Sequence, residues 1–267
     1  MITSQSNEKV KHIAALQKKS KLREEEGVFL AEGARLFEEI PEAQLKECYL
    51  TEEGLALLRE RGHTDCERLM KSGHAELVSP EVFAKMTDVV TPQGVLAVVK
   101  RFRYEWDDLF PAGREALIVM PEDIQDPGNL GTILRTAEAA GASGVVLGGE
   151  TADIYNPKVV RSTMGAIFRM PFMKLHELSF CFDVLRQRGV RIHAAALEGA
   201  TVFTDTDLTG PAAFIIGNEG RGIKKETVAA ADDSVYIPMA GKTESLNASI
   251  SAALLLYEAA RQRGYKE

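Results

Sequence analysis

The stretch "PEDIQDPGNLGTILRTAEAAGA", residues 121–142, decides the fold of the second half of the chain. An apolar run at residues 116–120 leads into its polar turn, and a helical pattern follows the turn. On one face this helix carries a single arginine, Arg135, four residues after Gly131. A buried strand followed by a helix is the unit from which parallel sheets are built. The residues predicted to form the buried face of the helix are Leu130, Ile133, Leu134 and Ala137.

Length and composition indicate an ordinary globular protein with two domains. The chain has 267 residues, of which 45% are hydrophobic and 27% are charged. No apolar run approaches the roughly 18–20 residues of a membrane helix, and the N-terminus lacks the apolar core of a secretory signal. We therefore expect a cytoplasmic protein without a membrane partner. Three cysteines without a CxxC pair argue against a disulfide framework. We interpret His63, Cys66 and His74 as a polar surface turn and expect no metal site.

Charge is unevenly distributed along the chain. The formal net charge of -7 counts against nucleic-acid binding by bulk attraction. Residues 1–23, however, hold six basic residues against one acidic residue, Glu8. Two interpretations stay open: a basic arm available to phosphates, or a solvated amphipathic helix with Val10, Ile13 and Leu16 inward. The basic residues of this arm are Lys9, Lys11, Lys18, Lys19, Lys21 and Arg23.

The pattern of elements divides the chain at a polar segment rich in Pro and Gly. Residues 1–105 have the pattern of a small α/β domain, residues 106–115 that of a linker, and residues 116–267 that of a parallel sheet covered by helices on both faces. We predict a long terminal helix from Leu246 to about Arg263. Its predicted inward residues are Leu246, Ile250, Ala253, Leu254 and Tyr257.

Four polar loops follow strands of the predicted parallel sheet, where ligands bind in such folds. They are "EDIQDPGNLG", "ALEGAT", "GNEGRGI" and "PMAGKTESLN". The dinucleotide fingerprint GxGxxG and the Walker phosphate loop are absent, so neither nucleotide redox chemistry nor ATP hydrolysis is favoured. Gly131 would let a ligand approach Arg135, which then grips a phosphate or hydroxyl; the alternative is a surface ion pair with Glu138. We interpret His176 and His193 as structural.

Three segments together resemble the SpoU (TrmH) family of RNA ribose 2'-O-methyltransferases, in the SPOUT class. The segments are "NLGTILRTAEAAGA", "FIIGNEGRGI" and "IPMAGKTESLNASISAALLLYEA", in the family's order. The resemblance implies an α/β catalytic domain with a deep trefoil knot, a homodimer, and S-adenosylmethionine as methyl donor without a metal. The first domain is more loosely similar to the family's L30e-like substrate-binding domain, through "VFLAEGARLFEE".

The resemblance also assigns site residues. Arg135 resembles the catalytic arginine, and Asn129, Glu219 and Asn247 match the other polar catalytic positions. A guanidinium has a pKa above about 12, so either the site depresses it or the arginine stabilises the developing alkoxide. The expected function is methylation of a ribose 2'-hydroxyl in structured RNA, rRNA before tRNA; the alternative is a catalytically silent RNA-binding protein of the same fold. The residues expected to bind the cofactor are Gly199, Gly217, Ile237 and Leu246.

Overall fold

The protein divides into two compact units in the computed structural model, which describes residues 1–62, 66–197 and 200–265. The first unit comprises Met1–Phe102 and Asp153–Phe168, and the second comprises Arg103–Ala152 and Arg169–Glu267. The short segment Asp153–Phe168 therefore belongs to the first unit, although it interrupts the sequence of the second. No helix in the described ranges is both long and apolar enough to cross a membrane.

The first unit is built on a four-stranded sheet in the order β1-β4-β2-β3. β4 is antiparallel to both of its neighbours, whereas β2 and β3 are parallel. α8, from the inserted segment, packs against β1. The elements are α1 (Glu8–Lys18), α2 (Ser20–Glu25), β1 (Val28–Glu32), α3 (Ala34–Glu38), β2 (Leu45–Leu50), α4 (Glu52–Glu60), α5 (Cys66–Lys71), β3 (Ala75–Leu77), α6 (Pro80–Met86), β4 (Val95–Lys100) and α8 (Pro157–Ser162).

The basic N-terminal segment forms α1 and α2, and its apolar face is buried as predicted. Val10, Ile13 and Leu16 are almost fully buried against the first unit's core. All five lysines of this segment are exposed, and Lys9 forms an ion pair with Glu76. Exposed lysines beside a buried apolar face fit both interpretations of this segment.

One residue of the basic arm, Arg23, differs from its prediction. Its side chain is buried, with only 2% of the residue exposed. The guanidinium donates to the backbone oxygen of Leu16 at 2.7 Å and to the carboxylate of Asp153 at 2.5 Å. A charge inside a protein needs such partners. The prediction that Arg23 binds RNA is therefore wrong, because the side chain is buried and both terminal nitrogens of its guanidinium donate within the first unit.

The second unit is built on a seven-stranded sheet in the order β7-β6-β5-β10-β8-β11-β9. Every strand pair in it is parallel, which confirms the predicted sheet type. The short edge strands β7 and β9 were not predicted. The elements are β5 (Leu117–Pro121), α7 (Pro127–Ala139), β6 (Gly144–Gly148), β7 (Phe172–Leu175), α9 (Phe182–Gln187), β8 (Arg191–Ala195), β9 (Thr201–Val202), β10 (Ala212–Ile216), α10 (Lys225–Ala230), β11 (Asp233–Tyr236) and α11 (Ala248–Gln262).

The terminal helix, α11, packs against α7 and β10 through a face that differs from the predicted one. Its buried residues include Ala252, Leu255 and Leu256, whereas three predicted inward residues are exposed. The helix is apolar on two sides, so the period of the pattern alone does not identify the side that faces the sheet. The exposed fractions are 49% for Ile250, 38% for Leu254 and 43% for Tyr257.

His193 lies inside the second unit and supports the interpretation that it is structural. Its ring is 1% exposed on β8 and stacks on Phe214, with the ring centroids 5.4 Å apart. Nδ1 is hydrogen-bonded to the carboxylate of Asp233 on β11, whereas Nε2 is buried without a partner. Burial lowers the pKa of His193, and this outweighs the opposing effect of Asp233.

This histidine makes stability depend on pH. The ordinary pKa of histidine is about 6.5, and the pKa of His193 is lower than this in the folded state. Below about pH 6.5 the unfolded chain therefore binds more protons than the folded chain. Stability is thus fully present above that pH and is lost as the pH falls toward the lower folded pKa. We expect the free energy of urea unfolding to fall from pH 7.5 to 5.5 more steeply in the wild type than in His193→Phe. His176→Gln, at an exposed histidine, should follow the wild type. Parallel curves for wild type and His193→Phe would contradict this.

Candidate active site

Three loops meet at one edge of the parallel sheet of the second unit. They follow β5, β10 and β11, whose carboxyl ends share an edge because the strands are parallel. The first loop enters α7, the second spans residues 217–224, and the third spans residues 237–247 before α11. These are the three segments that carry the predicted catalytic residues.

The start of α7 fixes the backbone of Asn129. Asp126 caps this helix, and its carboxylate accepts the Asn129 N–H at 2.8 Å. Pro127 occupies the first turn, where its missing N–H costs nothing. The side chain of Asn129 is thus held in the first turn of a capped helix, half-exposed at the edge of the sheet.

Asn129 joins the three loops by hydrogen bonds. Its Nδ2 donates to the carboxylate of Glu219 in the second loop. Its Oδ1 accepts from Nδ2 of Asn247, at the end of the third loop, at 3.0 Å. An amide carries both donors and an acceptor, which suits it to this central position. The structure thus brings together three of the four predicted catalytic residues.

Asn247 has a second task, because it is also the N-cap of α11. Its Oδ1 accepts the Ser249 backbone N–H at 2.9 Å and the Ser249 hydroxyl at 2.6 Å. The oxygen is therefore used by the helix, and the amide nitrogen is left to donate to Asn129. The amide that forms the contact is oriented by the helix start itself.

The second loop is a tight hairpin closed on itself. Asn218 and Gly222 exchange backbone hydrogen bonds of 2.8 and 3.2 Å. A Cβ at Gly217 would lie 2.3 Å from the carbonyl carbon of Gly222, a distance that no side chain can adopt. Glu219 stands exposed between these residues. Glycine at position 217 is therefore required for the loop to close.

The predicted cofactor residues lie at the same edge of the sheet. Gly217 directly follows β10, Ile237 directly follows β11, and Leu246 precedes the N-cap of α11; all three are half-buried. Gly199, the fourth, lies outside the described residues, as does His63 of the segment interpreted as a polar surface turn.

Arg135 is not part of the hydrogen-bond network. Its side chain is exposed on α7 and forms no hydrogen bond or ion pair with any described residue. The alternative partner, Glu138, pairs with Arg169 at 2.8 Å instead. Gly131, four residues earlier on α7, is itself buried. The guanidinium is nevertheless available to a partner from outside the chain.

Two site residues were not singled out from the sequence: Glu122 and Asn218. Glu122 is buried directly after β5, and Asn218 follows Gly217. A charged residue immediately after an apolar strand is a signal that a buried carboxylate has partners elsewhere in the fold. Those partners are distant in sequence, so the pattern alone does not reveal them.

Comparison of the sequence with known families identifies the class of protein to which this fold and site belong. The sequence model described as "SpoU rRNA Methylase family" matches residues 116–257, and the model described as "MRM3-like substrate binding domain" matches residues 7–97. The chain belongs to the SpoU rRNA methylase family.

Individual relatives are similar over nearly the whole chain. An uncharacterized tRNA/rRNA methyltransferase of Synechocystis is 36% identical and covers 98% of this chain and 94% of its own. The 23S rRNA (guanosine(2553)-2'-O)-methyltransferase RlmP of Bacillus subtilis is 34% identical, and the match covers 96% of this chain and 97% of RlmP. Among solved structures, the AdoMet-bound rRNA methyltransferase of Sinorhizobium meliloti superposes with a TM-score of 0.83 at 31% identity, covering 97% of each chain.

The closed hairpin at Gly217 can be tested directly. We expect Gly217→Ala to lower the free energy of unfolding by about 1–3 kcal/mol, because the added Cβ forces backbone apart. It should also weaken S-adenosylmethionine binding, measured by calorimetry. Gly210→Ala is the matched control, since a Cβ there meets nothing within 4 Å. Equal unfolding free energies and equal S-adenosylmethionine affinities in the two variants would contradict the role given to Gly217.

Proposed function

We propose that this protein transfers a methyl group from S-adenosylmethionine to a ribose 2'-hydroxyl of ribosomal RNA. The observation that carries the proposal is the network in which Asn129 joins Glu219 and Asn247 across the three family segments. Bacillus subtilis RlmP acts on a guanosine 2'-oxygen of 23S rRNA, and a Streptomyces viridochromogenes relative, 36% identical over 64% of this chain and 61% of its own, acts on a uridine. The two relatives share the ribose 2'-oxygen as the methylated atom, although the bases differ. Ribosomal RNA as substrate implies a cytoplasmic enzyme.

The cofactor residues fit a donor held mainly by backbone. The hairpin at Gly217 leaves no room for a Cβ, so this part of the loop offers a ligand backbone groups and no side chain from position 217. Ile237 and Leu246 add half-buried apolar surface. When bound, S-adenosylmethionine supplies an electrophilic methyl group on a sulfonium. Gly217, Ile237 and Leu246 would hold it, together with Gly199.

The polar residues of the site have two proposed roles in methyl transfer. The exposed guanidinium of Arg135 contacts the RNA and stabilises negative charge that develops on the ribose oxygen, while the proton leaves to water or phosphate. Asn129, Glu219 and Asn247 hold the loops in one arrangement, so the ribose is aligned for in-line attack. Alignment of this kind needs no metal.

The first domain would bind the RNA substrate. The match of residues 7–97 to a family model described as a substrate-binding domain supports this proposal. The proposed organisation is an L30e-like domain over residues 1–105, a linker at 106–115 and a catalytic domain at 116–267. Arg23 is excluded because it is buried. The lysines proposed to contact phosphates are Lys9, Lys11, Lys18, Lys19 and Lys21.

We further propose a trefoil knot and a homodimer. The chain must cross the carboxyl edge of the sheet to pass from β11 to α11, which packs beside β10 and α7, and this course supports the knot. The exposed apolar stripe of Ile250, Leu254 and Tyr257 on α11 supports the dimer, because such residues are usually covered by a partner. A second copy of the chain is the proposed cover.

Arg135→Ala tests the proposed function. We expect methyl incorporation into rRNA at saturating substrate to fall by about 100-fold or more, the cost of losing one charge-stabilising group. S-adenosylmethionine affinity should persist, because the cofactor residues are intact. Arg114→Ala, at another exposed arginine of the second unit, is the control and should methylate normally. Normal methylation by Arg135→Ala would contradict the assigned role, and absence of cofactor binding in the wild type would favour the catalytically silent alternative.

The apolar stripe of α11 gives a separate prediction. Leu254→Glu should convert the dimer into a monomer in size-exclusion chromatography with light scattering, because it places a charge within a contact that excludes water. Phe180→Glu changes an equally apolar side chain, 67% exposed elsewhere in the second unit, and should remain dimeric. A dimeric Leu254→Glu would show that another surface mediates association.

A further inference from the structure

Glu122 is a buried acid that directly follows β5 and is hydrogen-bonded to the second loop. Only 2% of Glu122 is exposed. Its backbone N–H donates to the Ile216 oxygen at 2.8 Å, which extends the pairing of β5 with β10 by one residue. A carboxylate at this depth is costly unless both of its oxygens accept hydrogen bonds.

The two oxygens of Glu122 accept from the last residue of the second loop and from the first turn of α10. Oε2 accepts the backbone N–H of Lys224 at 2.8 Å, and Oε1 accepts the hydroxyl of Thr227 at 2.7 Å. Lys224 is the N-cap residue of α10, and its own side chain makes no capping bond. The Glu122 carboxylate therefore supplies from another part of the chain the acceptor that the start of α10 lacks.

The near end of the same loop is held by the residue next to Glu122. Nδ2 of Asn218 donates to the backbone oxygen of Asp123 at 3.0 Å. Oδ1 of Asn218 accepts the backbone N–H groups of Gly220 and Arg221 at 2.9 and 3.1 Å. Both ends of the loop are thus attached to residues 122–123, at the end of one strand.

Glu219 lies between these two attachments. Its carboxylate is exposed and accepts from Asn129, but its backbone position is set by the loop. Movement of the loop by about 1 Å would break that contact, and misplacement of this size costs roughly 100-fold in enzyme rates.

We propose that Glu122 is a positioning residue for methyl transfer: it fixes the loop of residues 217–224 so that Glu219 meets Asn129. The inference rests on the proposed function and adds a residue that does not touch the reacting atoms. Glu122 acts through Glu219, so its contribution disappears when Glu219 is absent.

The decisive experiment is a double-mutant cycle of Glu122→Ala and Glu219→Ala, read as kcat for methyl transfer to rRNA. We expect Glu122→Ala alone to lower kcat by about 100-fold. The KM for RNA should be unchanged, and Glu122→Gln, which keeps an acceptor and a donor, should restore most of the rate. In the Glu219→Ala background, Glu122→Ala should add little, because coupled residues are non-additive. A full additional loss there, or wild-type kcat in Glu122→Ala, would overturn the proposal.

A matched variant separates positioning from general destabilisation. Glu258→Ala removes another buried carboxylate of the second unit, which accepts from Arg261 and Gln262. It should lose comparable stability and keep its kcat. An equal kcat loss in Glu258→Ala would overturn the proposal, since loss of stability would then explain the effect.

Hydrogen exchange keeps the inference distinct from the proposed function. Amides of residues 218–224 should exchange faster in Glu122→Ala than in the wild type and in Glu258→Ala. A wild type that methylates no ribosomal RNA would contradict the proposed function alone. Faster exchange would still support the attachment by Glu122, and unchanged exchange would overturn it.

Discussion

The contacts of one amide, that of Asn129, are the constraint on which the site depends. It donates to Glu219, 90 residues later, and accepts from Asn247, 118 residues later. Neither contact forms until β5, β10 and α11 have assembled. The edge of the sheet brings the loops close, and the donor and acceptor of a single side chain then select one arrangement of them. The arrangement of the site therefore depends on the packing of the sheet.

The site has a buried layer that sets geometry and an exposed layer that meets the substrate. Glu122 is buried and fully hydrogen-bonded, so it is rigid and cannot contact RNA. Glu219 and Arg135 are exposed, so they can. This division has a physical reason: a charge that must bind phosphate or sugar has to remain solvated until the substrate arrives, whereas a charge that only fixes a loop is most effective where water does not compete.

Much of this fold was predictable because its signals are local. The apolar strands of the parallel sheet and the buried stripe of α7 follow from periodicity, and the three site segments follow from their resemblance to one family. What was missed depends on partners distant in sequence. Arg23 lies in a basic segment typical of phosphate binding, yet it is buried and donates to Asp153. α11 has two apolar faces, and only α7 and β10 decide which is buried. The role of Glu122 exists only through Lys224 and Thr227.

The proposed function of the site is methylation of a ribose in ribosomal RNA. The most direct measurement maps 2'-O-methyl groups in rRNA from cells with the gene, cells without it, and cells that carry Arg135→Ala. The account predicts that a ribose methylation disappears with the gene, returns with the wild-type sequence, and stays absent with the variant. An identical methylation map in all of these cells would contradict it.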